Sequence, residues 1–336
     1  MRVFFYLSGE HQTLPKAEAL AALEALGESY KVLDHFDQVL ALKVDGLGDA
    51  HARLAMCHVI CELSGVSDAN YEDALEISEL VEVEGSFAAR VKRIKHYHEE
   101  LSTARLEKLI GGTIKERGFE VDLDNPNEVI LGILSEKFAL GRVIEEVDRS
   151  QYEARRPHKR PYFKPGAMLP RNCRAIVNLT RVKGGGAFVD PFCGTGGFLI
   201  EAGLLGAKIY GYDSDHEALE GCEENLEHYG MEDFHLERMD ARELGEKYPG
   251  MFDALATDLP YGISSSTRGQ SLNELYSQSL GSFYETLRKG GYACVVAPSN
   301  LDVARISKHY GFTLMDEHLQ RVHRSLTRRI TVLKKA

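Results

Sequence analysis

Apolar and polar positions along the chain fall into two rhythms. Over the first third the period changes quickly. Residues 2–8 (RVFFYLS) form an apolar run that predicts a strand, and residues 16–27 (KAEALAALEALG) have helical apolar spacing closed by a glycine. Residues 30–34 and 38–44 predict the two strands of a hairpin. Residues 50–64 have the apolar density of a second helix, with Cys57 and Cys61 on one buried face. Together these predict a small β-α-β-β unit. Farther on, 79–84 (ELVEVE) and 86–94 (SFAARVKRI) alternate as strands do, and 99–117 reads as a helix despite Gly111 and Gly112. Asn125-Pro126-Asn127 marks a turn between strands at 118–123 and 128–134, and 135–147 continues strand-like.

A second rhythm begins at residue 187. Apolar strands at 187–190, 208–212 and 252–257 alternate with glycine turns and helices, and a further strand runs up to Asp240. A helix at 271–288, a turn at Gly290-Gly291, a strand at 292–297, a helix at 301–309 and strands near 312–319 and 326–334 follow. This alternation predicts an α/β fold.

Between the two lies RPHKRPYFKPGAMLP, where Pro157, Pro161, Pro165 and Pro170 forbid a continuous helix or central strand. The charge pattern changes there too. The chain of 336 residues is net acidic, −11, yet residues 154–183 hold nine Lys and Arg and no acid. Residues 1–100 hold nine basic against eighteen acidic residues, and residues 301–336 eight against three. A basic band interleaved with Tyr162 and Phe163 suits phosphate contact and base stacking. Hydrophobic residues at 43% and charged residues at 27% fit an ordinary globular protein with room for about two domains. No run approaches the roughly 18 apolar residues of a membrane span, the amino terminus lacks a cleavage-site pattern, and the six scattered cysteines form no CxxC pair. A cytoplasmic protein with no membrane contact and no metal is expected.

The chemistry concentrates after residue 187. AFVDPFCGTGGFLIEAGLLGAKIYGYDSD reads as strand, glycine turn, helix, strand, acid, a unit whose turn lets a ligand approach the backbone. Asp213 follows Asp190 by 23 residues, the spacing at which an acid accepts from both ribose hydroxyls. A nucleoside-triphosphate loop would need Lys and Ser/Thr after its glycines, where this turn has Gly197 and Phe198. A dinucleotide loop would need a third glycine that Gly194-Thr195-Gly196-Gly197-Phe198-Leu199 lacks. Asp240 ends the next strand, where it either accepts from a ligand or merely caps the following helix. FDALATDLPYG then carries Asp258-Leu259-Pro260-Tyr261-Gly262 at a strand end, a segment that resembles the signature of methyltransferases acting on the exocyclic amines of bases. An exocyclic base amine is a poor nucleophile because its lone pair is delocalised. A carboxylate and a backbone carbonyl that accept its two N–H groups draw it toward tetrahedral geometry, and an aromatic ring can stack on a flipped-out base.

These motifs carry a resemblance. The DPFCGTGG turn resembles the S-adenosylmethionine loop of Rossmann-like methyltransferases, and Asp258–Tyr261 resembles their [D/N]-P-P-[Y/F] signature, with Leu259 departing where Pro is usual. SFAARVKRI with FEVDLDNPNEVILGIL is similar to the THUMP RNA-binding domain. RRPHKRPYFKPGAMLPRNCRAIVNLT resembles the segment joining THUMP to the catalytic domain in archaeal and eukaryotic tRNA (guanine-10-N2)-methyltransferases. The resemblance implies an α/β fold with a seven-stranded Rossmann-like methyltransferase domain at 167–336, ending in an antiparallel hairpin. Before it come an α+β ferredoxin-like region at 1–54, a THUMP domain at 55–147 and a basic linker at 148–166. It implies methyl transfer from S-adenosylmethionine to the N2 amine of a guanine in tRNA. Asp258 and the Pro260 carbonyl would accept the amine hydrogens and Tyr261 would stack on the base. Asp190, Pro191, Gly194, Thr195 and Gly196 would line the cofactor loop, bordered by Asp258, with ribose at Asp213 and adenine at Asp240. Arg90, Lys92 and Arg93, with Arg155, Arg156, Lys159, Arg160, Lys164 and Arg171, would contact tRNA. Some members of the family work with a small zinc-binding activator protein. The alternatives are N6-adenine methylation of RNA or DNA, a non-catalytic RNA-binding protein with a decayed methyltransferase fold, and a nicotinamide-dependent oxidoreductase.

Overall fold

A computed structural model describes residues 1–261, 272–323 and 326–336, which form two units, Met1–Arg149 and Ser150–Ala336. Gly262 and the first residue of the helix expected at 271–288 lie outside the described residues.

The first unit runs β1 (Arg2–Leu7), α1 (Leu14–Leu26), β2 (Tyr30–Phe36), β3 (Val39–Val44), α2 (Ala50–Arg53), β4 (Cys57–Ser67), α3 (Tyr71–Ser78) and β5 (Ser86–Arg93). It continues with α4 (Thr103–Glu116), β6 (Glu120–Val121), β7 (Glu128–Leu134) and β8 (Phe138–Glu146). Helix α1 ends because Gly27 takes a φ of 81°, a left-handed position that glycine adopts without strain. All the strands join one sheet in the order β2-β3-β1-β4-β8-β7-β5-β6. Phe5, Leu23, Leu42 and Ile60 are buried in a cluster on the side of α1, while Phe4, Tyr6 and Ile133 belong to another. Helices α3 and α4 bury Ile77, Leu106, Ile110 and Ile114 with Phe87 and Phe138.

Several expectations are corrected here. The helix expected at 50–64 is only the short α2, and the rest is β4, which pairs antiparallel with β1 on one side and β8 on the other. Sheet pairing on two edges overrides an apolar spacing that also suits a helix. Cys57 and Cys61 therefore share no helix face. A register shift sets Leu7 opposite Cys57 but Tyr6 opposite Val59, so the two thiols enter different clusters. Residues 79–84 form no strand. They follow α3 as a loop that buries Val81 and Val83. The strands on either side of Asn125–Asn127 are not partners, because β6 and β7 lie parallel to β5 on its two edges.

The second unit contains α5 (Ser150–Ala154), α6 (Pro170–Leu179), β9 (Ala187–Asp190), α7 (Gly197–Gly203), β10 (Lys208–Asp213), α8 (His216–His228), β11 (Phe234–Arg238) and α9 (Leu244–Lys247). Then come β12 (Phe252–Asp258), α10 (Leu272–Thr286), β13 (Leu287–Pro298), α11 (Val303–Tyr310), β14 (Phe312–His323) and β15 (Leu326–Lys335). The seven-stranded sheet has the order β11-β10-β9-β12-β13-β15-β14. The first five are parallel, and β15 runs antiparallel to both β13 and β14. The expected glycine turn lies inside β13 as a break in pairing: Phe252 pairs with Leu287 and Ala254 with Tyr292. The chain moves outward from β9 to β11 and then returns to β12. The strand order thus reverses between β9 and β12, and their carboxyl ends open the crevice where such sheets take ligands.

All six cysteines are free thiols and buried. No helix among the described residues is long and apolar enough to cross a membrane.

Candidate active site

Two neighbouring strand ends form the site. Asp190 closes β9 and is 1% exposed. Its Oδ1 accepts from the Thr257 hydroxyl on β12 at 2.8 Å and from the Phe192 N–H at 3.1 Å. Burial pushes this carboxyl up to about 8, against the pull of both hydrogen bonds. Asp213 closes β10. Its Oδ2 accepts from the Gly194 N–H at 2.9 Å and its Oδ1 from the Asp215 N–H at 3.0 Å, so the acid braces the glycine turn. Gly194 and Gly196 take φ of 50° and 82°. A Cβ on Gly194 would meet nothing within 4 Å, so the turn is open there, whereas one on Gly196 would stand 2.7 Å from the Cys222 sulfur. The Thr195 carbonyl accepts from Asn225 on α8. Asp240 lies two residues past β11, where both its oxygens accept from the Arg242 guanidinium and Oδ1 also accepts the Arg242 N–H.

At the end of β12, Asp258 is held from two sides. The Tyr261 hydroxyl donates to its Oδ1 at 2.6 Å, and Arg328 Nη2 lies 3.4 Å from Oδ2. Arg328 also donates from Nε to the Tyr261 oxygen at 3.0 Å. Burial pushes the Asp258 carboxyl up, and the Arg328 charge and the Tyr261 hydrogen bond pull it back down. The Pro260 carbonyl accepts from the Tyr276 hydroxyl on α10. Leu259 replaces a proline with a working donor: its N–H bonds the Val296 carbonyl at 2.9 Å, and its side chain is fully buried.

Sequence reasoning missed Arg328 and Tyr276. Arg328 showed only as part of a basic tail, and Tyr276 had no signal beyond a helical pattern. A Tyr276→Phe chain leaves the Pro260 carbonyl without this donor. Its kcat is expected to fall about fivefold to thirtyfold, the worth of one positioning hydrogen bond, with cofactor affinity unchanged. Steady-state kinetics beside a cofactor titration check this, and an unchanged kcat removes Tyr276 from the site.

The expected RNA contacts divide by burial. Arg90 and Lys92 project from β5 as exposed residues. Arg93 turns to the carbonyls of Tyr97, His98 and Leu101. Lys159 is exposed, Arg156 pairs with Glu153, and Lys164 reaches Asp215 at 2.9 Å. Arg171 is half-buried at the start of α6. Arg155 and Arg160 are 8% and 5% exposed, which removes them from any surface set. Arg155 donates from Nε and Nη2 to the two oxygens of Glu201, and Arg174 Nε joins it at 2.9 Å. The band is strapped to α8, where the Tyr162 N–H donates to Asn225 and its ring fills the space over Gly221.

Residues 157–330 match the family model described as RMKL-like, methyltransferase domain. The chain is 39% identical to the tRNA (guanine(10)-N2)-dimethyltransferase of Methanothermobacter thermautotrophicus, with all of both chains covered. It is 37% identical to that of Pyrococcus abyssi over 84% of this chain and 85% of the other. Among solved structures, TrmN from Thermus thermophilus matches over the whole of both chains with a TM-score of 0.54 at 22% identity, which is a likeness of fold. The order of motifs, the strand-end acids and identity with these relatives over most or all of the chain agree, and the chain belongs to the tRNA (guanine(10)-N2)-methyltransferase family.

Proposed function

We propose that this protein methylates the N2 amine of a guanine in tRNA, at position 10, with S-adenosylmethionine as donor. The observation that carries the reading is the pairing of a carboxylate, Asp258, with a fixed carbonyl, Pro260, beside an open glycine turn. The residues fit the donor. Gly194 leaves its backbone uncovered, Asp213 stands at the end of β10 for the ribose, and Asp190 offers a buried acid to a positive charge. When bound, S-adenosylmethionine supplies an electrophilic methyl group on a sulfonium sulfur. Asp258 and the Pro260 carbonyl accept the two amine hydrogens, and Tyr276 keeps the carbonyl aimed. Tyr261 gives up its hydrogen bond to Asp258 as the amine arrives, and its ring lies against the base. Burial raises the Asp258 carboxyl and Arg328 draws it back toward the carboxylate, one of whose oxygens can take the proton that the amine sheds. Arg90, Lys92 and Lys159 are the exposed cations offered to the RNA backbone.

The test is transfer of labelled methyl groups to an unmodified tRNA transcript, with nucleoside mass spectrometry of the product. N2-methylguanosine or its dimethyl form supports the reading, and loss of the product when adenine replaces the guanine at position 10 supports the position. N6-methyladenosine overturns it. Transfer by this chain alone dispenses with an activator protein, and transfer only after addition of a zinc-binding partner requires one.

Asp190 makes cofactor affinity depend on pH. With its carboxyl raised to about 8, the acid is mostly protonated at neutral pH, and a cation placed against it favours the carboxylate. Binding then releases a proton. Affinity for S-adenosylmethionine is expected to rise from about pH 6 to about pH 8 and level off above. Calorimetric titrations in buffers of different ionisation enthalpy count the proton. Asp190→Asn abolishes the slope, and a slope that survives this change assigns it to another group.

A further inference from the structure

The Arg155–Glu201–Arg174 cluster contains an imbalance. Arg160 packs onto it by donating from Nε to the Arg155 carbonyl at 3.1 Å. Its Nη1 and Nη2 have no hydrogen-bond partner among the described residues, although the side chain is buried. Glu201 is fully buried, and its two oxygens are already taken by Arg155 and Arg174. Neither oxygen of Glu201 is left for Arg160. A buried charge with no partner is costly, so the position calls for an anion.

The place of the guanidinium narrows which anion. Nη1 lies 3.9 Å from the point where a Cβ on Gly197 would stand, at the end of the glycine turn, and the Cys173 sulfur lies 3.4 Å from the same point. The charged groups bearing on that sulfur are Arg160, Glu201, Asp258 and Arg328. Arg160 therefore stands at the end of the glycine turn, where the Cys173 sulfur beside it feels the charges of both Arg160 and Asp258. The transferable methyl group must face Asp258, and only three carbons separate the sulfonium sulfur from the carboxylate carbon of the methionine moiety. The carboxylate falls within that short reach of Asp258, away from the ribose and adenine at Asp213 and Asp240. A phosphate of the RNA backbone is the other candidate anion. It would approach from solvent, where the adjacent Lys159 is exposed and Arg160 is not.

We propose that Arg160 is the anchor for the methionine carboxylate of S-adenosylmethionine, paired through Nη1 and Nη2. This rests on the cofactor reading above and adds a residue to it. The test compares S-adenosylmethionine with its decarboxylated analogue, which keeps the sulfonium and the ammonium, by calorimetric binding without RNA. The wild type is expected to prefer the intact cofactor by about tenfold to hundredfold, the worth of a charged hydrogen-bonded pair. Arg160→Met brings the ratio near one by weakening the intact cofactor alone, and Arg160→Lys restores part of it. Because the change removes a buried unpaired charge, the unliganded Arg160→Met chain melts no lower than the wild type. A wild-type ratio near one overturns the assignment without any variant, so the proposal stays testable if Arg160→Met does not fold. Equal weakening of both ligands also overturns it, as a merely structural arginine would produce. A preserved ratio with weaker tRNA binding overturns it in favour of a phosphate. If the wild type binds neither ligand, the cofactor reading itself falls, and the anchor with it.

Discussion

An Asp258→Ala chain will bind S-adenosylmethionine within a few-fold of the wild type and transfer methyl groups about 10²–10³-fold more slowly. The asymmetry follows from where the acid sits. Asp258 ends β12, across the strand pair from Asp190, and its partners are Tyr261 and Arg328, not the glycine turn. On the proposed mechanism its removal takes one of two acceptors from the amine and leaves the nitrogen planar. It also leaves Arg328, 7% exposed, without its carboxylate, so the variant is expected to melt lower. Asp258→Asn separates the two effects, because the amide oxygen still accepts one hydrogen while the charge is gone. Single-turnover transfer beside a cofactor titration reads the outcome. Full activity in the alanine variant would remove Asp258 from the mechanism.

The second large effect is structural. Glu201→Ala is expected to cost about 3–5 kcal/mol, because it leaves Arg155 and Arg174 buried without the carboxylate that both address. For a unit of this size that is a fall in melting temperature of roughly 6–20 °C. Calorimetry of the full chain measures it, and a shift near zero would mean that the two arginines are solvated through a route that their burial denies. Glu201→Gln is expected to fall short of rescue, since the amide cannot accept on both sides.

The sequence made most of the second unit readable. Strand, glycine turn, helix, strand and acid are local features written within 30 residues, and β9, the turn, β10 and β12 stand where the pattern put them. What escaped is what local pattern does not encode. Arg155 and Arg160 look like the rest of a basic band, since a row of charges does not say that Arg155 meets a buried Glu201 46 residues later or that Arg160 turns in onto the Arg155 carbonyl. Tyr276 and Arg328 reach the DLPY segment across 16 and 67 residues, and neither stands in a motif. In the first unit the helix misread at 50–64 has the same cause. CHVICELSGVS is apolar enough for either period, and the neighbours β1 and β8 decide. The bulge between Cys57 and Val59 then puts Cys57 in the cluster of Ile60 and away from Cys61.

The buried thiols turn the protein into its own stopwatch. All six are buried in the folded state; burial raises the titration of Cys57, Cys61, Cys173 and Cys294, and the hydrogen bond with Cys222 together with burial raises that of Cys193, so an alkylating reagent finds no reactive sulfur until the chain opens. Cys57 and Cys61 then report on the sheet of the first unit, and the other four on the methyltransferase unit. Labelling rates followed by mass spectrometry would time the opening of each unit separately, with and without cofactor, in the unaltered chain.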